Sequence, residues 1–144
     1  MSKKVYTLLS VSMLVAALAV PLSAQTMTLT ANIPFAFTIA NKTLPAGEYM
    51  IRNAGNPYVL TFQGENHKAG ALTMVNHEAV VRTEHPAAAT KLVFNRYGTQ
   101  YFLSEVVNGY AESGFVVPMP KAERELTKTA SAEHFEVLAT LARR

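Results

Sequence analysis

The sequence predicts an all-β protein: a single antiparallel β-sandwich or small barrel of about 7–9 strands, with a short helix near residues 120–129. Two observations carry this prediction. Apolar residues alternate with polar or small residues in many short runs, and this period of two is typical of a strand with one buried face. Residues that favour turns, mainly Gly, Pro and Asn, separate these runs.

The first 24 residues have the features of a secretory signal peptide. Two lysines precede an uncharged, mostly apolar run over residues 5–20, and the small residues Ser23 and Ala24 follow. The run is shorter than the ~20 residues that cross a bilayer, so a membrane anchor is the less favoured interpretation. We therefore expect cleavage after Ala24 and one mature domain of residues 25–144 without a transmembrane segment. We expect the mature protein to be exported by a bacterium, either to the periplasm or outside the cell.

Composition restricts the classes of function. Removing Lys3 and Lys4 with the leader lowers the formal net charge from +3 to +1. No basic cluster remains away from the termini, so a nucleic-acid partner is not expected. The chain has no Asp, the usual calcium ligand, and no Cys, which excludes disulfides and thiolate metal sites. We expect ~120 mature residues to form one core without cross-links, and no cofactor is predicted.

The longest alternation predicts the first strand over residues 27–39. Its odd positions are all apolar: Met27, Leu29, Ala31, Ile33, Phe35, Phe37 and Ile39. Pro34 cannot donate a hydrogen bond to a neighbouring strand, which indicates an edge or a bulge near residues 32–34. The stretch is therefore expected to consist of two segments that can pair with different neighbours.

The following strands are predicted from the same alternation, bounded by turns. They cover residues 48–52, 58–63 and 69–75, with a weak pattern over residues 76–89 and a short strand at residues 79–81. The clearest hairpin joins residues 91–97 to residues 100–107. Gly98 stands first in a two-residue turn, which favours the II′ form. In that register Arg96 lies opposite Tyr101, whereas a three-residue loop would shift the pairing by one residue.

The C-terminal part begins with a second hairpin signal at Asn108-Gly109. The strand that follows this turn, over residues 110–117, ends at the prolines of residues 118–120. The pattern of residues 121–128 predicts a short helix. Ala122 and Leu126 form a narrow apolar stripe on that helix, and this stripe can pack against the sheet. Residues 134–142 fit both a strand and a helix, and we favour a strand that completes the sheet.

Several segments together resemble a known group of proteins. They are residues 33–39 (IPFAFTI), 42–49 (KTLPAGEY), 92–98 (LVFNRYG), 101–103 (YFL) and 118–125 (PMPKAERE). The combination resembles small exported β-rich proteins of acidobacterial-type soil bacteria, a group without an established activity. The resemblance covers most of the mature chain and rests on turns and core strands. It implies a fold and supplies no catalytic residues.

Two sets of residues are candidates for a site. Arg96, Tyr97, Tyr101 and Tyr110, if they share one face of the hairpin, can stack on a sugar or a peptide, with Arg96 over Tyr101 as a cation–π pair. The favoured alternative is that these tyrosines fill the core or support the sheet. His77, Glu78, Glu84 and His85 can converge on a metal ion, although their spacing matches no zinc or cupin signature. The favoured alternative is that these histidines lie on surface loops.

Enzymatic chemistry is not predicted. Glutamate pairs could approach each other as in a glycosidase, but on a sandwich they usually occupy the solvated face. Ser104 and Ser113 lack the context of a nucleophile elbow. The leading hypothesis is an exported, non-catalytic β-domain, a binding or structural module of the cell envelope or extracellular space with an unknown ligand or protein partner.

Two alternative functions stay open. One is an assembly subunit whose N-terminal strand adds to a neighbour's sheet. The other is a small metal-binding protein or enzyme that uses the region from His77 to His85.

Overall fold

The computed structural model describes residues 27–53, 55–65, 67–79, 89–109 and 113–142. In chain order these ranges contain β1 (Thr28–Ile33), β2 (Phe37–Ile39), β3 (Lys42–Leu44), β4 (Gly47–Arg52), β5 (Val59–Gly64), β6 (Gly70–Met74), β7 (Asn76–Ala79), β8 (Lys91–Tyr97), β9 (Gln100–Asn108), β10 (Ser113–Val116), α1 (Lys121–Leu126), β11 (Glu133–Leu138) and β12 (Thr140–Leu141). The predicted fold class is confirmed. The described ranges hold more strands than expected because the first predicted strand is divided and several strands are very short. No helix in these ranges is long and apolar enough to span a membrane.

The strands form two sheets packed face to face. The five-stranded sheet has the order β12-β1-β4-β5-β6. The seven-stranded sheet has the order β11-β8-β9-β10-β7, and in addition β2 pairs with β9 and β3 pairs with β2. The chain changes sheets four times: between β1 and β2, β3 and β4, β6 and β7, and β11 and β12. The last two changes occur at single buried residues, Val75 and Ala139. Strands that switch sheets in this way form corners of the sandwich.

The first predicted strand divides as expected, although the break falls at residues 34–36. β1 pairs antiparallel with β4 and with β12, whereas β2 pairs with β3 and with β9. The residues that alternate toward the core are almost fully buried: Leu29, Ala31, Ile33, Phe37 and Ile39. Phe35 lies in the break and is only partly buried, packed against the edge of the core.

The register of the central hairpin is confirmed. β8 and β9 pair with Tyr97 opposite Gln100 and Arg96 opposite Tyr101. The connecting turn has two residues, and Gly98 adopts a φ of +61°, which L-residues rarely adopt. The turn therefore fixes which side chains of the hairpin meet across the two strands.

The predicted helix is present as α1, but the predicted apolar stripe is wrong. Ala122 is exposed, Leu126 is half-buried, and the side chain that enters the structure is Glu123. The helix is too short to carry a stripe over two turns, and its sheet-facing side meets polar groups. The ambiguous last segment is a strand: β11 pairs with β8, and β12 pairs with β1.

Candidate functional site

The β8–β9 hairpin places Arg96 and Tyr101 on its inner face, next to its turn. Along β8, Leu92 and Phe94 precede Arg96 on that face and are fully buried. The guanidinium carbon of Arg96 lies 5.7 Å from the centroid of the Tyr101 ring. A guanidinium within about 6 Å of an aromatic ring forms a cation–π contact. The two residues therefore meet as the register predicts.

Two phenylalanine rings pack beside this pair. The Phe35 ring stacks on the Tyr101 ring with centroids 3.9 Å apart and planes inclined by 14°. Phe135 of β11 stands edge-on to both, with centroids 5.3 Å from Phe35 and 5.9 Å from Tyr101. We call Phe35, Arg96, Tyr101, Glu133 and Phe135 the aromatic patch. Phe135 is 41% exposed, so the patch presents an aromatic surface to solvent.

Two members of the aromatic patch, Arg96 and Glu133, are charged. The Nε of Arg96 donates a hydrogen bond to the Gly98 carbonyl over 2.8 Å, and its Nη1 lies 3.5 Å from a carboxylate oxygen of Glu133. Both charged side chains are well exposed, so their ion pair contributes little to stability. The arrangement therefore offers a fixed donor and an acceptor beside exposed aromatic carbon.

Sequence reasoning missed three members of the aromatic patch. Phe35 follows the alternation of the core, and its partial exposure results from the break after β1. Glu133 and Phe135 join because β11 pairs with β8, with Glu133 opposite Arg96 and Phe135 opposite Phe94. No local pattern in the sequence predicts that β11 pairs with β8.

Tyr97 does not belong to this patch, which corrects the expectation that the tyrosines share one face of the hairpin. Side chains alternate along a strand, so Tyr97 points to the opposite face from Arg96. It is 6% exposed and packs edge-on against Phe102, with ring centroids 5.9 Å apart. Tyr110 lies outside the described residues.

A buried polar cluster lies where α1 covers the outer face of the seven-stranded sheet. Glu123 is 1% exposed, and one of its carboxylate oxygens accepts hydrogen bonds from Asn95 Nδ2 over 2.7 Å and from the Tyr97 hydroxyl over 3.4 Å. Among the described residues, the Asn95 Oδ1 has no hydrogen-bond partner. The contacts attach the short helix to β8.

Burial determines the electrostatics of this cluster. It raises the pKa of the Glu123 carboxyl, and the hydrogen bonds from Asn95 and Tyr97 oppose that rise. Burial also raises the pKa of Tyr97, assisted by the nearby Glu123 charge and hydrogen bond. Glu123 is not a candidate from local pattern, because an acidic residue on a short surface helix usually faces water.

The candidate metal ligands are not brought together by any described geometry. His77 and Glu78 are in β7, where only the backbone is described, and Glu84 and His85 lie outside the described residues. In the ranges that are described, no group of three or more His or Glu residues could hold a metal ion. The metal site stays a prediction.

A shallow depression lies on the outer face of the five-stranded sheet. Its volume is about 160 Å³, below the ~300–1,000 Å³ of pockets that enclose drug-sized ligands. It is lined by Thr30, Glu48, Met50, Arg52, Gln63, Gly64, Glu65 and His67. Its size suits a single side chain or a small polar group.

Comparison with protein-family models, with curated proteins and with solved structures finds no match. Function is therefore inferred from the geometry of this chain. The aromatic patch combines the exposed side chain of Phe135 with the charged groups of Arg96 and Glu133.

Proposed function

We propose that this protein is an exported, non-catalytic β-domain that binds a glycan–peptide polymer of the cell envelope through the aromatic patch. The observation that carries the proposal is the placement of Arg96 over Tyr101, beside the half-exposed ring of Phe135. Tyrosine and arginine are enriched among the residues that dominate binding energy at interfaces. The leader-like first 24 residues support a location where such polymers occur.

The chemistry of the aromatic patch suits a sugar or a peptide. The exposed ring of Phe135 offers an apolar surface for the C–H face of a sugar ring or for an apolar side chain. Arg96 can donate to hydroxyl, carbonyl or carboxylate oxygens, and Glu133 can accept from hydroxyl or amide groups. Because Phe35 already stacks on Tyr101, that tyrosine acts as a support for Arg96 and Phe135.

The assembly alternative is less well supported by the pairing of the N-terminal strand. β1 forms six residue pairs with β4 and is also paired with β12 at Leu29 and Thr30. Donation of β1 to another molecule would require both sets of pairs to open. The geometry therefore favours β1 as an internal strand.

The proposal is tested by co-sedimentation with purified peptidoglycan sacculi. The full coding sequence is expressed in an exporting bacterium, and mass spectrometry of the recovered protein tests for a mature chain that begins at Gln25. We expect the parent protein to sediment with sacculi, and Phe135→Ala and Arg96→Ala each to weaken binding about tenfold. Leu138→Ala is the matched control, since Leu138 lies on the same strand and is 71% exposed.

Two results would contradict the proposal. One is a parent protein that stays in the supernatant at all sacculus concentrations. The other is equal binding by the parent and Phe135→Ala, with both folded by circular dichroism. Recovery of the protein only in the cytoplasm with its first 24 residues attached would contradict the export part.

A further inference from the structure

The outer edge of β6 is the feature that suggests an additional interaction. β6 is the last strand of the five-stranded sheet, and within the described ranges no strand pairs with its outer edge. Leu72 and Met74 are 62% and 69% exposed. An edge strand with unpaired backbone groups is a template for another strand.

The hydrogen-bond pattern identifies which residues of β6 face outward. The Val75 amide donates to the Tyr58 carbonyl over 2.9 Å, and the Gly64 amide donates to the Ala69 carbonyl over 2.8 Å. Bonded and non-bonded pairs alternate along an antiparallel ladder, so Ala71 and Thr73 bond to β5. The backbone N–H and C=O groups of the alternate residues, Gly70, Leu72 and Met74, point away from the sheet.

Charge distinguishes β6 from the other edge strands. β11 contains Glu133, His134 and Glu136, and β7 contains His77 and Glu78, whereas β12 has only two residues. Charged side chains on an edge oppose pairing with another molecule. β6 has five residues and no ionisable side chain of its own. The Lys42 ammonium group, which donates to the Gly70 carbonyl, stands at one end of this edge and not at Leu72, its centre.

We propose that two copies of this chain pair through the outer edges of their β6 strands, antiparallel and centred on Leu72. In this register Leu72 lies opposite the partner's Leu72, and Gly70 lies opposite the partner's Met74. Every outward-facing backbone group then meets another outward-facing group. A two-fold axis through Leu72 makes the contact closed, so it produces a dimer with a continuous ten-stranded sheet.

The side chains fit the same register. Leu72 and Met74 project from the outer face of the sheet, where Leu72 would contact its copy across the axis. Gly70 carries no side chain on that face, which leaves room for the partner's Met74. A second copy is the proposed partner because this edge is complementary to itself. Gly70 faces the partner's Met74, each outward-facing backbone group meets another, and β6 contributes no ionisable side chain to the contact.

The dimer is expected to be weak. Only five residues of each copy pair, and Lys42 Nζ already donates to the Gly70 carbonyl over 2.7 Å. The Met74 carbonyl likewise accepts from the Thr73 hydroxyl over 3.1 Å. A small interface of this kind corresponds to a dissociation constant of about 0.1 mM.

Sedimentation velocity of the purified protein, from about 5 μM to 1 mM, tests the pairing. The parent is expected to shift from monomer to dimer over this range. Leu72→Lys is expected to raise the dissociation constant at least about tenfold, because it places two ammonium groups at the axis. Leu72→Pro removes only an outward-facing N–H and is expected to act in the same direction.

Leu138→Lys is the matched control, because it changes an equally exposed leucine on β11 and is expected to leave the dimer intact. A parent that stays monomeric up to 1 mM would overturn the proposal, and so would dimers that persist in Leu72→Lys or disappear in Leu138→Lys. If Leu72→Pro does not fold, Leu72→Lys decides. Binding to sacculi through the aromatic patch uses a different surface, so either proposal can fail without the other.

Discussion

Replacing Glu123 by Ala is expected to lower the free energy of unfolding by about 1–3 kcal/mol at about pH 5. The carboxyl group is 1% exposed and accepts a 2.7 Å hydrogen bond from Asn95 and a 3.4 Å bond from Tyr97. Burial raises the pKa of this carboxyl, so the group stabilises the folded protein most at acidic pH. A neutral hydrogen bond contributes about 0.5–1.5 kcal/mol, and a buried donor left without a partner costs about 1–3 kcal/mol. The Tyr97 bond is the longer of the two and contributes less than the Asn95 bond.

Urea unfolding followed by far-ultraviolet circular dichroism measures this effect. Glu125→Ala is the matched control on the same helix. Glu125 is exposed and its 2.7 Å ion pair with Lys128 is a surface contact worth about 0–1 kcal/mol. If Glu123→Ala costs no more than Glu125→Ala, the attachment of α1 through this carboxylate is refuted.

The pH dependence gives a second readout of the same group. Burial raises the pKa of Glu123 in the folded protein, so the folded state holds this proton more tightly than the unfolded state. Its contribution to stability is therefore full below the unfolded pKa and is lost as pH rises through the folded pKa. The parent should gain stability relative to Glu123→Gln as the pH falls from 7 to 5. Parallel pH profiles for the two proteins would refute the burial of an ionisable group here.

The remaining predictions concern the divided first strand and its turn. Phe37→Asp should abolish the cooperative urea transition, because it places a charge at a 1% exposed core position, whereas Phe35→Asp should weaken the fold without abolishing it. A Phe37→Asp protein with the parent's melting temperature would contradict this register. Ala40 has a φ of +53°, so Ala40→Gly should be neutral or stabilise by up to about 1 kcal/mol. Ala36→Gly, at an exposed position without positive φ, should not stabilise, and equal effects of the two changes would argue against strain at Ala40.

The fold class and the central hairpin could be predicted from local sequence. Alternation identifies the buried face of a strand, and a glycine in a two-residue turn fixes the register of Arg96 against Tyr101. Pro34 predicts that the first strand is divided. The predicted position of the break, residues 32–34, differs from the observed position, residues 34–36. The break occurs where β1 leaves one sheet and β2 enters the other, and local alternation does not record that change.

The missing parts of the site depend on contacts between distant segments. Phe135 and Glu133 reach Arg96 only because β11 lies beside β8, and Glu123 is buried only because α1 folds over Asn95 and Tyr97. An alternating segment shows which side chains share a face, but it does not show which strand lies next to it. An acidic residue on a helix is likewise expected to be exposed to solvent. The burial of Glu123 can be inferred only once its partners on the sheet, Asn95 and Tyr97, are known.

The central claim is that the aromatic patch binds a glycan–peptide polymer, and an NMR titration with soluble peptidoglycan fragments tests it most directly. The account predicts shifts of amide and side-chain resonances concentrated at Phe35, Arg96, Tyr101, Glu133 and Phe135, and little change at the depression around Met50. Shifts centred on the depression, or no shifts at millimolar fragment concentrations, would contradict it.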